Sequence, residues 1–145
     1  MSDLSCVDTN VLVCAHDDLS SRRDPARGLL AKAEHEDAAL CVVPQVLVEF
    51  YAVVTSPRRV TTPRTPTEAL DALEAILARP GLTLLPTPGN LVEHWIELTR
   101  RHPRSGQKVF DLQLVAALLA NGVRRIYTFN RADFEPFEEL EVLTP

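Results

Sequence analysis

"CVDTNVLVCA" (residues 6–15) sets one carboxylate, Asp8, inside the most apolar part of the N-terminal region. A lone ionised carboxylate is costly to bury unless it is paired or bound to a cation. Leu4 to Val7 is short, apolar and without period-two alternation, the pattern of a strand covered on both faces. Asp8-Thr9-Asn10 breaks that strand, and Asn10 is in position to cap a short helix after it. Asp8 therefore falls at the carboxyl end of a buried strand. Open α/β sheets collect their ligands there.

The same alternation continues along the chain. Asp24-Pro25 reads as a helix cap followed by Pro at the first helical position. Ala26, Leu29, Leu30 and Ala33 then carry that helix to about Glu36. Ala39 to Val43 is a second buried strand, stopped by Pro44, and Val46, Leu47, Phe50, Val53 and Val54 follow at helical spacing. Thr65-Pro66-Thr67-Glu68 has the spacing of a capping box. Leu70, Leu73, Ile76 and Leu77 form the expected buried stripe of the helix it opens. Leu82 to Leu85 is a third strand, and a helix from about Gly89 to Arg101 presents Leu91, Trp95 and Leu98 on one side. Val109 to Asn121 is apolar nearly all round, with Gly122 as its stop. Arg125 to Thr128 is a fourth strand, Asn130 to Phe137 a turn region, and Glu141 to Leu143 a short final strand. The expected fold is α/β: a central parallel sheet of four or five strands between two helical layers, spanning residues 1–145 as one domain.

Composition narrows the class. The chain has 145 residues, 46% hydrophobic and 24% charged, which is ordinary for a globular protein. No stretch approaches the roughly 18 apolar residues of a membrane span, and MSDLS at the start lacks the basic flank of a secretory signal. The expectation is a soluble, cytoplasmic protein with no membrane partner. Cys6, Cys14 and Cys41 are odd in number and form no CxxC, so they read as reduced thiols. The net charge of −5 argues against indiscriminate nucleic-acid binding. Yet thirteen of the fifteen basic residues are Arg, clustered as Arg22/Arg23/Arg27, Arg58/Arg59/Arg64, Arg100/Arg101/Arg104 and Arg124/Arg125. Arg suits bidentate phosphate contact; solvated faces are the other reading.

Two more acids share the setting of Asp8. Glu49 lies in VLVEFYAVV and Asp111 in KVFDLQLVAALLA, each the single acid of an apolar helical stretch. Each has an ordinary structural reading, such as an Arg partner for Glu49 or a first-turn helix charge for Asp111. Three together suggest convergence. Like charges about 4 Å apart repel by about 4 kcal/mol at an effective dielectric of 20, so a cluster needs a counter-charge. The sequence offers little: only Lys108 lies within three residues of any of the three. An all-oxygen site suits Mg²⁺ or Mn²⁺. The four His residues and the scattered Cys show no zinc spacing. A carboxylate-held Mg²⁺ most often works on phosphate esters, through one ion or two.

Four segments, "VDTNVLVCA", "PQVLVEFYAVV", "VFDLQLVAALLANGV" and "IYTFNRADFEPF", resemble in order and spacing the PIN-domain family, and within it the VapC-type toxins of bacterial type II toxin–antitoxin pairs. The resemblance covers nearly the whole chain. It implies a three-layer α/β/α PIN-like fold and a metal-dependent endoribonuclease that hydrolyses RNA phosphodiester bonds. By position it implies Asp8, Glu49 and Asp111 as the metal-binding acids, with Glu49 either a ligand or the orienter of the attacking water. Thr9 and Thr128 would offer hydroxyls to the site. The family's fourth acid falls where this chain has Asn130 or Asp133, of which Asp133 is favoured; it could equally cap the turn before Phe134. The resemblance also implies a homodimer and inhibition by a cognate antitoxin.

Two other readings stand beside it. A non-catalytic module of the same fold would bind RNA or a partner protein without needing the acids for chemistry. A phosphatase with an aspartyl nucleophile would want a second Asp two residues after Asp8, where this chain has Asn10.

Overall fold

The computed structural model describes residues 3–145. Met1 and Ser2, part of the stretch read for a leader, lie outside the described residues. Five short strands form one sheet: β1 (Ser5–Val7), β2 (Leu40–Val42), β3 (Leu82–Leu84), β4 (Arg125–Tyr127) and β5 (Glu141–Leu143). Their order is β3-β2-β1-β4-β5, and every pairing is parallel. Helices fill the connections: α1 (Thr9–Ala15), α2 (Arg23–Lys32), α3 (Pro44–Val54), α4 (Pro66–Leu77), α5 (Leu91–Arg101), α6 (Val109–Ala120) and α7 (Arg131–Phe134).

Crossovers between parallel strands are right-handed. The chain steps from β1 to β2 to β3 in one direction, then returns past β1 to β4 and β5. That reversal puts α1 to α4 over one face and α5 and α6 over the other, giving three layers. The contacts agree: α1 packs on α2 and α3, α3 on α4, and α5 on α6. Cys6, Val7, Cys41, Val42 and Ile126 fill the sheet's interior, and Leu112, Val115, Ala116 and Leu118 cover it from α6.

Local chemistry accounts for several boundaries. Thr65 and Glu68 complete a reciprocal capping box, the Glu68 carboxylate accepting from Thr65 N–H at 2.8 Å and the Thr65 hydroxyl from Glu68 N–H at 3.2 Å. Pro44 opens α3 at its first position. Gly122 stops the chain after α6 with φ +75.

Four expectations are corrected. α1 is capped by Asp8, whose side chain accepts from Thr9 N–H, not by Asn10, which is helical. α2 begins at Arg23 with Arg22 at its cap, so Asp24 and Pro25 lie inside the first turn, where Pro still costs no internal hydrogen bond. α2 also ends at Lys32, and Glu36–Ala38 is a separate 3₁₀ turn. In α4 the buried residues are Ala69 and Ile76, whereas Leu70 is 51% and Leu77 37% exposed. A helix lying over the outer strand packs chiefly on one neighbouring helix, α3, and buries a narrower stripe.

Candidate active site

The order reversal makes a switch point at the carboxyl ends of β1 and β4, the usual crevice for ligands in such sheets. Asp8 leaves β1 there, its N–H donating to Tyr127 O of β4 at 3.0 Å. A cavity of about 880 Å³ opens at this edge. Asp8, Glu49, Asp111 and Asp133 all line it, together with Thr9, Asn10 and Asn130. These acids come from the β1–α1 junction, α3, α6 and α7. Residues 8 to 133 thus reach one cleft because α3 and α6, in opposite layers, both start at the carboxyl edge.

Asp8 is 8% exposed and tightly held. Its Oδ1 accepts from Thr9 N–H at 2.8 Å. Its Oδ2 accepts from the Thr128 hydroxyl at 2.8 Å and from the Asn10 amide at 3.2 Å. Burial nonetheless pushes its pKa up to about 6, aided by the charges of Glu49 and Asp111 and opposed by the Thr128 and Thr9 hydrogen bonds. Asp111 is half-buried and likewise raised to about 6, first by burial and then by the Asp133 charge. Glu49 adds to that shift, and Arg104 and Lys108 oppose it. Asp8 and Asp111 therefore each feel two other acids across the cleft.

Thr128 is fully buried and does not line the cavity. Its hydroxyl is used up within the protein: it donates to Asp8 and accepts from Asn10 at 3.1 Å and from Asn130 N–H at 3.0 Å. Thr128 orients the acid rather than offering a free hydroxyl. Thr9 lines the cleft, but its hydroxyl donates to Val46 O of α3 at 3.4 Å.

Four side chains gain weight only in three dimensions. Asn10 joins the two strand ends, its amide donating to Asp8 and Thr128 and its Oδ1 accepting from Phe129 N–H at 3.1 Å. Gln45 donates from one amide nitrogen to Glu49 at 2.8 Å and to Phe110 O at 2.9 Å, tying α3 to α6. Its position four residues before Glu49 on a helix was the available signal. Arg104, from a segment without regular pattern, stands 3.8 Å from Asp111. It also donates to Asp133 O at 3.2 Å and lies 4.7 Å from the centre of the Phe137 ring. Its charge leaves Asp111 raised, so it neutralises the cluster only in part. Arg59, read only as one of a cluster of arginines, is the single Lys or Arg among the described residues that line the cleft.

The donor set is chemically suited to a hard divalent cation. It is oxygen-rich, has no His, and carries more negative charge than its surroundings balance. As the side chains stand, no three His, Cys, Asp or Glu residues among those described are drawn close enough to hold one ion. The four acids face a common cleft without closing on one point.

The family model for the PIN domain matches residues 5–140. Ribonuclease VapC43 of Mycobacterium tuberculosis is 38% identical over 120 residues, 80% of this chain and 79% of that protein. Among solved structures, M. tuberculosis VapC20, described as a sarcin-ricin loop cleaving toxin, superposes with a TM-score of 0.68 at 17% identity, covering 93% of this chain and 95% of that one. VapBC2 from Rickettsia felis, bound to a DNA fragment from its promoter, superposes with a TM-score of 0.66 at 18% identity, covering 97% and 98%.

Proposed function

Because the chain belongs to the PIN-domain family, we propose that it is a VapC-like toxin: a Mg²⁺- or Mn²⁺-dependent endoribonuclease restrained by a cognate antitoxin. The observation that carries the reading is the meeting of four carboxylates from four separate elements in one cleft at the sheet's switch point. Asp8, Asp111 and Glu49 would hold the cation, with Asp133 as the fourth acid; the pressure of the Asp133 charge on Asp111 favours it over Asn130. When bound, the cation would polarise a phosphoryl oxygen and set positive charge against the developing negative charge.

The chain's own groups prepare the site. Thr9, Asn10 and Thr128 fix the Asp8 carboxylate in one orientation. Gln45 engages Glu49 Oε1, which leaves Oε2 to accept a proton from an attacking water. Exposed apolar side chains at the rim, Val48 at 69% and Phe110 at 51%, suit coverage by a partner protein such as an antitoxin. Val92 and Ile96, exposed on α5, give an apolar face for a second copy of the chain. No helix among the described residues is long and apolar enough to cross a membrane, in keeping with action on RNA in the cytoplasm.

The test is incubation of the purified protein with structured RNAs and Mg²⁺ or Mn²⁺, with and without chelator, beside Asp8→Asn. Cleavage is expected, and it should vanish with chelator and with Asp8→Asn. Cutting that persists in Asp8→Asn assigns the activity to another site. RNA binding by the wild type without cutting under any condition supports the non-catalytic module instead. Turnover of phosphate monoesters alone supports a phosphatase.

A further inference from the structure

We infer that Arg59 is the phosphate-binding residue of the cleft, contacting a phosphodiester of the RNA strand beside the bond that is cut. The inference rests on the ribonuclease reading and asks how an anionic polymer enters a cleft lined by four acids. A nucleic-acid strand carries a negative charge at each nucleotide, and its binding depends on basic groups that displace counterions. Of the described residues that line the cavity, Arg59 alone is basic.

Three other arginines near this edge are already engaged. Arg104 is held by Asp111, Asp133 O and the Phe137 ring. Arg22 lies over the Phe129 ring at 5.0 Å. Arg64 donates to His16 O at 2.8 Å. The exposed Arg59 side chain has no hydrogen bond or ion pair among the described residues. Its backbone is nevertheless fixed. Arg59 N–H donates to Ser56 O at 3.1 Å, Val60 N–H to the same oxygen at 3.2 Å, and Arg58 N–H to the Ser56 hydroxyl at 3.3 Å.

The placement fits a strand running along α3. Gln45, Val48, Glu49, Ala52 and Val53 line the cleft from one face of that helix. From Glu49 to Val53 is just over one helical turn, or roughly 6 Å. Arg59 continues the wall beyond that turn, so its guanidinium fork meets backbone phosphate rather than the reacting atoms. Contact there strengthens binding in the ground state and transition state alike, which lowers KM without changing kcat.

Arg59→Ala, Arg59→Lys and the neighbouring Arg58→Ala are compared in two measurements. The first is steady-state cleavage of a single-stranded RNA. The second is binding of the same RNA to Asp8→Asn carriers of each change, followed by fluorescence anisotropy in Mg²⁺ across a salt series. Arg59→Ala is expected to raise KM about tenfold, the worth of one hydrogen bond to a charged group, with kcat within about twofold. Its salt slope should fall by about 0.7, the loss of one phosphate contact on a single strand. Arg59→Lys should restore the slope while recovering only part of the affinity. Arg58→Ala should match its parent. Equal affinity and slope for Arg59→Ala and its parent, in a protein that cuts RNA, overturns the assignment alone, even if an acidic partner protein then loses affinity. Absence of both cutting and binding in the parent proteins overturns the ribonuclease reading and the assignment together. Thermal melts identify any variant that has lost its fold, and the lysine variant then decides the matter.

Discussion

At neutral pH the Asp8 carboxylate sits in surroundings that oppose its charge, and this has a measurable consequence. Its pKa in the folded chain is about 6, against 3.8 for the free group. The folded state therefore binds the proton more tightly than the unfolded state does. The sign follows: this contribution favours folding below about pH 4 and is lost as pH rises through about 6. Two pKa units correspond to about 3 kcal/mol, and Asp8 is buried enough for little solvent screening. Asp111 shifts in the same direction. Urea denaturation in chelator should show stability declining from pH 4 to pH 7 in the wild type. Asp8→Asn should flatten that decline, gaining on the wild type by about 2–3 kcal/mol across the window. A wild-type profile that instead climbs with pH would mean that Asp8 is balanced by a counter-charge.

At the level of elements, a close backbone approach sets one position more firmly than any side chain. A Cβ at Gly81 would lie 2.1 Å from His35 O and 2.9 Å from Ala33 O. Gly81 N–H donates to Ala33 O at 2.7 Å, and Gly81 O accepts from Leu40 N–H at 2.9 Å. The residue thus pins the entry of β3 against both the end of α2 and the start of β2. Gly81→Ala should cost at least about 1–3 kcal/mol, read as a lower urea midpoint at unchanged slope. Arg79-Pro80-Gly81 is by itself a local helix-stop pattern. The need for glycine, however, comes from a segment more than forty residues earlier, which no local pattern carries. The capping box at Thr65 is the opposite case: both of its hydrogen bonds are made within four residues, and it was legible in full.

For the molecule as a whole, five of the eleven arginines in the clusters read as either phosphate contacts or solvated faces are drawn into ion pairs among the described residues, as are Arg79 and Arg131 outside the clusters. Arg23, Arg27, Arg79, Arg101, Arg104, Arg125 and Arg131 each pair with an acid. With a net charge of −5 and seven of the thirteen arginines paired with acids, electrostatic capture of RNA should be weak. The slope of log affinity against log salt should be no steeper than about −2, equivalent to three phosphates on a single strand. Fluorescence anisotropy between 50 and roughly 300 mM salt checks this, and a much steeper slope would reveal a basic track elsewhere on the surface.

Asp133 entered only through the family resemblance, whereas the amino-acid sequence alone determined the alternation of strands and helices, the parallel sheet, and the apolar settings of Asp8, Glu49 and Asp111. These follow from apolar spacing and turn chemistry, which act over a few residues. Tertiary structure decided the rest. It brought four acids from both helical layers to one edge and set Arg104 beside Asp111. It closed the Asn10 and Thr128 hydrogen bonds around Asp8 across nearly 120 residues of chain. Those contacts depend on where right-handed crossovers carry each helix, and no stretch of sequence contains both partners.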